Sequence, residues 1–131
     1  MSFKLSIVTP KGLYEELDVD SLTIKLTTGY RTFLSGHAPL IGAIDIGTMH
    51  IVKNSKTIYY AIHGGAINVE NDKTVILTNA IEKSNEIDIK RANKSLERAK
   101  NRLDEKDINL DVKRAELAIK RAMVRLETSK L

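Results

Sequence analysis

Four Arg-Ala pairs stand in the last third of the chain, at Arg91-Ala92, Arg98-Ala99, Arg114-Ala115 and Arg121-Ala122. Within each half of the set the pairs lie seven residues apart. That interval brings a small side chain back to nearly the same face of a helix every two turns, with a cation beside it each time. Two such helices joined by a polar turn would approach closely through alanine and carry arginines along their joint. A pair built only for stability would place Leu or Ile there, so the pattern asks for a second purpose. The charge balance points to the same region. Residues 1–84 carry eight Lys/Arg and eight Asp/Glu, whereas residues 85–131 carry thirteen against nine, which is the whole net charge of +4. An acidic partner would meet the C-terminal part. A solvated, mixed-charge helix surface is the plainer reading of the excess.

The elements that would position these cations follow from two different periodicities. All seven glycines and both prolines lie at or before Gly65. In that half, Phe3/Leu5/Ile7, Leu22/Ile24/Leu26 and Ile58/Tyr60/Ile62 alternate with polar neighbours, as strands do. Turn residues punctuate it at Thr9-Pro10-Lys11-Gly12, Thr28-Gly29, Ser35-Gly36-His37-Ala38-Pro39, Asp45-Ile46-Gly47, Asn54-Ser55, Gly64-Gly65 and Asn71-Asp72. Short strands at this spacing predict an antiparallel β-sandwich or flattened barrel over residues 1–84. Beyond it the period changes. Ile89, Ala92, Leu96, Ala99 and Leu103 form one heptad seam, and Val112, Ala115, Ile119, Ala122 and Leu126 a second. Asn85 is the expected N-cap, Asp88 sits by the positive end of the helix dipole, and Asp104-Glu105-Lys106-Asp107 is the expected polar break. Residues 85–131 therefore predict an antiparallel two-helix hairpin, and the fold class is α+β. Alanine in place of leucine forgoes about 0.8 kcal/mol per buried carbon, so this hairpin would depend on docking against something else.

Several chemistries find no support. There is no Walker-type phosphate loop and no dinucleotide glycine fingerprint. His37, His50 and His63 are scattered and lack companion ligands for a metal, and there is no cysteine. Ser35-Gly36-His37 is turn chemistry rather than a nucleophile and its base, because no acid converges on it. No apolar run approaches a membrane span, and the N-terminus lacks a signal-peptide layout. An enzyme is not expected.

Taken together, Val8-Thr9-Pro10, Ser35-Gly36-His37-Ala38-Pro39-Leu40, Gly64-Gly65, Val75-Ile76-Leu77 and Ile87-Asp88-Ile89-Lys90-Arg91-Ala92 resemble the epsilon subunit of F-type ATP synthase. The likeness covers essentially the whole chain. The stretch Lys113–Met123 is particularly similar to Bacillus-like forms. The resemblance implies a non-catalytic rotor subunit whose sandwich sits against the gamma subunit and the c-ring. It implies a hairpin that lies folded on the sandwich, or extends along gamma to the alpha/beta catalytic head and inhibits ATP hydrolysis. It further implies a peripheral position on the cytoplasmic face of a bacterial cell membrane, touching the membrane only through the complex.

In some members the folded hairpin binds ATP, and the pattern Ile/Leu-Asp-x-x-Arg-Ala marks the site. Residues 87–92 match every fixed position. Carried onto this chain, the site implied is Glu82, Asp88, Arg91, Arg98, Arg121 and Arg125, with Ile87 and Ala92 beside the base or ribose. ATP would be a regulatory ligand; no cofactor is obligatory and no metal is expected. Physical chemistry supports part of this set. Arg91 and Arg98 share a helix face, Arg121 and Arg125 share another, and folding about the turn near residue 106 brings Arg91 level with Ala122. Arg91, Arg121 and Arg125 would then converge on a polyphosphate, which guanidinium forks suit well. As the bland alternative, Asp88 and Arg91 are an ordinary i,i+3 pair.

The chain also departs from the family. Arg31 and Thr32 replace small or acidic residues, and Ser35 replaces a proline, in the loop that ends at His37. Arg31, Ser35 and His37 would form the lip towards the c-ring. His63 before Gly64-Gly65 is also unusual and reads as a local packing substitution. Two other classes compete with the rotor reading. A nucleic-acid-binding β-barrel with a basic arm is opposed by the neutral β half and the lack of a stacking row of aromatics. A ligand-free coiled-coil adaptor would use the heptads alone.

Overall fold

The computed structural model describes residues 1–105 and 111–131. Eight strands come first: β1 (Phe3–Thr9), β2 (Gly12–Val19), β3 (Ser21–Leu26), β4 (Gly29–Leu34), β5 (Leu40–Lys53), β6 (Lys56–Glu70), β7 (Lys73–Leu77) and β8 (Ile81–Lys83). Helices α1 (Ile89–Asp104) and α2 (Val112–Ser129) follow. Hydrogen bonding runs in the order β2-β1-β7-β6-β5-β3-β4, with β8 beside the earlier part of β6, on the side that β7 takes further along. The pairs are antiparallel except β1 with β7, which is parallel. The expectation of wholly antiparallel pairing is corrected at that one place.

Alternation predicts the core well. Phe3, Leu5, Ile7, Leu22, Ile24, Leu26, Tyr60 and Ile62 are all buried in one apolar cluster, joined by Phe33, Met49, Ile51, Ile67 and Ile76. Asn54-Ser55 and Asn71-Asp72 adopt positive φ at both residues, the primed-turn geometry that matches strand twist, and they close the β5–β6 and β6–β7 hairpins. Two other turn signals fail. Asp45-Ile46-Gly47 and Gly64-Gly65 lie inside β5 and β6, which pair in one constant register from Leu40↔Val69 to Lys53↔Lys56. Pairing lapses between Ile44↔Gly65 and Ile46↔His63, and near there β6 exchanges β8 for β7 as its other neighbour. Gly65 has a structural reason to be glycine: its φ is +134°, and a Cβ there would overlap the Leu77 carbonyl.

The helical half begins later than Asn85 suggests. Ser84–Glu86 form a short 3-10 turn, and Asp88 is the N-cap of α1, its Oδ1 accepting from the Arg91 amide at 3.0 Å. α2 starts in the same way, with Asp111 Oδ1 accepting from the Arg114 amide at 3.1 Å. Each helix starts at its first seam residue, and there Ile89 and Val112 are about half exposed at 50% and 51% rather than sealed in the joint. Ala92, Ala99, Ala115 and Ala122 are buried, as the seam requires. Asp104 ends α1 and Glu105 is its C-cap, while Lys106 and Asp107 of the expected break lie outside the described residues.

α2 carries a second buried face that the heptads do not show. Lys120, Val124 and Thr128 recur at four-residue steps and meet the sheet. Lys120 Nζ lies 3.0 Å from Asp45 Oδ1, Val124 enters an apolar cluster with Ile46, Ala61 and Ile87, and the Thr128 and Thr48 hydroxyls are 2.8 Å apart. α1 packs on α2, which in turn packs on β5 and β6.

Candidate functional site

Between the start of α1 and the sheet lies a cleft of about 630 Å³. Its helical wall is Asp88, Arg91, Ala92 and Ser95 from α1 with Arg125 from α2. Glu82 of β8, Lys11 of the β1–β2 turn and Tyr14 of β2 supply the other side. Each placement has a local cause. Asp88 is fixed because it caps α1, which turns Arg91 and Ala92, three and four residues on, to one side of the first turn. Arg125 follows Val124, whose burial sets the rotation of α2.

Glu82 is the centre of the charged arrangement. Its Oε1 accepts from Arg125 Nε at 2.6 Å, a charge-assisted bond. The same oxygen lies 3.8 Å from Nε2 of His63, on the neighbouring strand. His63 is 6% exposed, and neither ring nitrogen has a hydrogen-bond partner among the described residues. Burial and the Arg125 charge push its pKa down to about 4, with Glu82 opposing and Arg121 reinforcing the shift. Its substitution is therefore buried, as packing would require, yet polar and unsatisfied. At the rim Tyr14 donates to Glu86 Oε2 at 3.2 Å, and burial with the Glu86 charge pushes its pKa up to about 12.

Five of the eight expected ligand residues thus line one cleft: Glu82, Asp88, Arg91, Ala92 and Arg125. The other three stand elsewhere. Ile87 is buried in the apolar cluster beneath α2, where it anchors the hairpin's entry rather than offering a surface to a base. Arg98 lines a separate groove along α1 with Lys94, Glu97 and Arg102, one further stretch along the helix from the cleft. Arg121 is exposed, near enough to bear on His63 but outside the cleft wall. Lys11, Tyr14 and Ser95 enter the wall unexpectedly. The first two are about seventy or more residues from α1 in sequence, so no local pattern announces them.

Asp-x-x-Arg-Ala also occurs a second time, as Asp111-Val112-Lys113-Arg114-Ala115, where it opens α2 away from the cleft. In both copies the aspartate caps and the alanine is buried. The pattern's first physical role is to begin a closely packed helix; its place beside Glu82 and Arg125 distinguishes the first copy.

At the other end of the sandwich, Ser35 Oγ and the Gly36 amide donate to Asp72 Oδ1 at 3.0 and 2.9 Å. His37 stacks edge-on to Phe33 with ring centroids 4.6 Å apart, and Arg31 is exposed on β4. A row of paired residues, Leu13, Val8, Leu77, Ala66 and Ala43, crosses β2, β1, β7, β6 and β5. Leu13 and Leu77 in it are 60% and 52% exposed. Among the described residues no group of acids, histidines and cysteines could hold a metal ion, and no helix is long and apolar enough to cross a membrane.

A β-sandwich followed by a closely seamed pair of long helices defines a class of two-part subunits. Residues 2–84 match the family model of the ATP synthase delta/epsilon chain β-sandwich domain, and residues 85–130 that of its long alpha-helix domain. The ATP synthase epsilon chain of Bacillus mycoides (strain KBAB4) is 38% identical over 105 residues, 80% of this chain and 79% of that one. That of Bacillus thuringiensis (strain Al Hakam) is equally similar. A chain in the mitochondrial ATP synthase of Euglena gracilis has the same fold, with a TM-score of 0.85 at 22% identity over 99% of this chain and 82% of that one. The chain belongs to the ATP synthase delta/epsilon family and is an epsilon subunit, a non-catalytic component of the central stalk.

Proposed function

We propose that the chain links the gamma subunit to the c-ring and regulates ATP hydrolysis through a hairpin whose docked state is favoured by ATP. Residues 1–84 and 85–131 act as two mechanical units. The observation that carries this reading is the cleft itself. Asp88, Arg91 and Ala92 come from one helix, Arg125 from the other and Glu82 from the sheet, so the set exists only while the hairpin lies on the sandwich. Arg91 and Arg125 bind the phosphates, with Arg121 approaching from outside the wall and Arg98 left in its own groove, and Asp88 and Glu82 accept from ribose or the adenine amine. Ala92 completes the apolar side, and Ile87 holds the entry to α1 behind it.

Such a ligand shifts the equilibrium because its affinity differs between the two states. At one hundred times its dissociation constant it stabilises the closed state by about 2.7 kcal/mol. When ATP falls, the basic helices extend to acidic surface of the alpha/beta head, with Arg114 exposed for that contact. The apolar row from Leu13 to Ala43 docks on gamma, and Arg31, Ser35 and His37 face the c-ring. This places the subunit peripherally on the cytoplasmic face of a bacterial membrane.

Calorimetric titration of ATP into the full chain tests the sensor. Saturable heat that is lost in R91A and R125A supports it. Absence of heat at millimolar ATP refutes nucleotide sensing while leaving the family unaffected.

A further inference from the structure

Among the described residues, His63 is a buried titratable side chain of the joint that the proposed binding scheme does not use. Its ring lies beneath α2 with neither nitrogen satisfied, which normally costs free energy and asks for a reason. The charged groups facing it are Glu82 from β8 and Arg121 and Arg125 from α2. On β5 its partner is Ile46, and the adjacent Asp45 is already engaged by Lys25 and Lys120 at 3.7 and 3.0 Å. Its β6 neighbours, Ile62 and Gly64, carry no charge.

With the cleft empty, Glu82 is committed to Arg125, so a cationic imidazole would sit among guanidinium groups without a carboxylate of its own. An anion in the cleft changes both terms: it offsets the charge of Arg125 and Arg121, and it draws Arg125 away from Glu82. Nε2 of His63 is then the nearest donor to Glu82 Oε1, at a separation that a small side-chain adjustment converts into a hydrogen bond. We propose that His63 couples occupation of the cleft by a polyphosphate to uptake of one proton, making the ligand site a proton-sensing one. The inference rests on the cleft's being a polyphosphate site. Linkage fixes its sign: if the ligand raises the affinity of His63 for a proton, the proton raises the affinity of the cleft for the ligand to the same extent.

The experiment follows the imidazole resonances of the full chain through a pH titration, with and without saturating ATP. H63Q assigns the resonance directly, and H37Q with H50Q assign it by elimination should H63Q not fold. Saturating ATP is expected to raise the His63 midpoint from about 4 by at least one unit, to about 5 or above. Calorimetry at pH 5 in buffers of different ionisation enthalpy should then show uptake of about 0.4 more proton per ATP in wild type than in H63Q. If ATP binds while the His63 midpoint stays in place, the coupling is overturned and the binding site survives. If ATP produces no heat, the site and the coupling fall together.

Discussion

Val124→Ala isolates the contact that holds the hairpin to the sandwich. Val124 is 9% exposed and lies in a cluster with only Ile46, Ala61 and Ile87, separate from the main core. The substitution removes two carbons, worth about 1.6 kcal/mol at 0.8 kcal/mol each, with a further cost for any cavity left behind. A change of 1.4 kcal/mol is a factor of ten, so the population of undocked hairpin should rise by about tenfold or a little more. Native-state hydrogen exchange reads this directly. Amides of α2 should lose about a tenfold of protection, and those of α1 should follow because α1 packs on α2. Amides of β3, whose side chains fill the main core, exchange only when the sandwich itself opens and should stay better protected than those of α2 in both proteins. Saturating ATP should restore protection, since about 2.7 kcal/mol exceeds the loss. Protection of α2 as high as that of β3 in wild type, or unchanged α2 protection in the variant, would refute the view that the hairpin is a separately docked unit.

Other perturbations follow from single observations. Gly65→Ala should destabilise the sandwich by at least about 2 kcal/mol in thermal unfolding, through the clash with Leu77 and the positive φ together. Asp88→Ala and Asp111→Ala should each cost about 1 kcal/mol of helix stability by circular dichroism, as lost N-caps. Only Asp88→Ala should also weaken ATP binding in calorimetry, because Asp111 is not in the cleft. Acid should act through His63, which binds its proton more readily unfolded. The native state's advantage is complete above about pH 6.5 and is lost as pH falls from 6.5 to about 4, a loss of about 3 kcal/mol. In denaturant unfolding, the stability of wild type relative to H63Q should fall by that amount over the interval. Asp45 contributes at lower pH. Burial opposes its ionisation, but the Lys120 hydrogen bond and the Lys25 charge outweigh this, so its contribution fades only as pH falls below the ordinary carboxylate range.

The parts of this fold legible in the sequence are those with a local physical signature. Leu22, Ile24 and Leu26 alternate because one face of their strand is buried, and Asn54-Ser55 marks a primed turn by residues that tolerate positive φ. Gly64-Gly65 misleads because glycine also serves where backbones approach closely within a strand, and sequence alone does not separate the two uses. The sheet-facing side of α2 escapes notice for a related reason. Two of its three residues, the half-exposed Lys120 and the buried Thr128, are polar and are held by partners on β5 that no helical pattern encodes. At the cleft, Asp88, Arg91 and Ala92 are bound together by one helical turn. Glu82 and Arg125 were proposed by family likeness rather than by spacing, and their 2.6 Å contact depends on how α2 docks. Arg98 shares the Arg91 face on paper, but two helical turns carry it about 10 Å along the axis to another groove.

The single parallel ladder has a consequence for how the chain is made. β1 cannot acquire its β7 neighbour until residues 73–77 have left the ribosome, so until then the β1 edge of the β1–β2 ribbon stays unpaired. The pairings within residues 21–70 are available earlier and span less chain. Thr128 is synthesised after every strand, and closes onto Thr48 only after the sheet beneath it is complete. Order of assembly is thereby written into the topology: the platform comes first, and the movable arm is added to a finished surface.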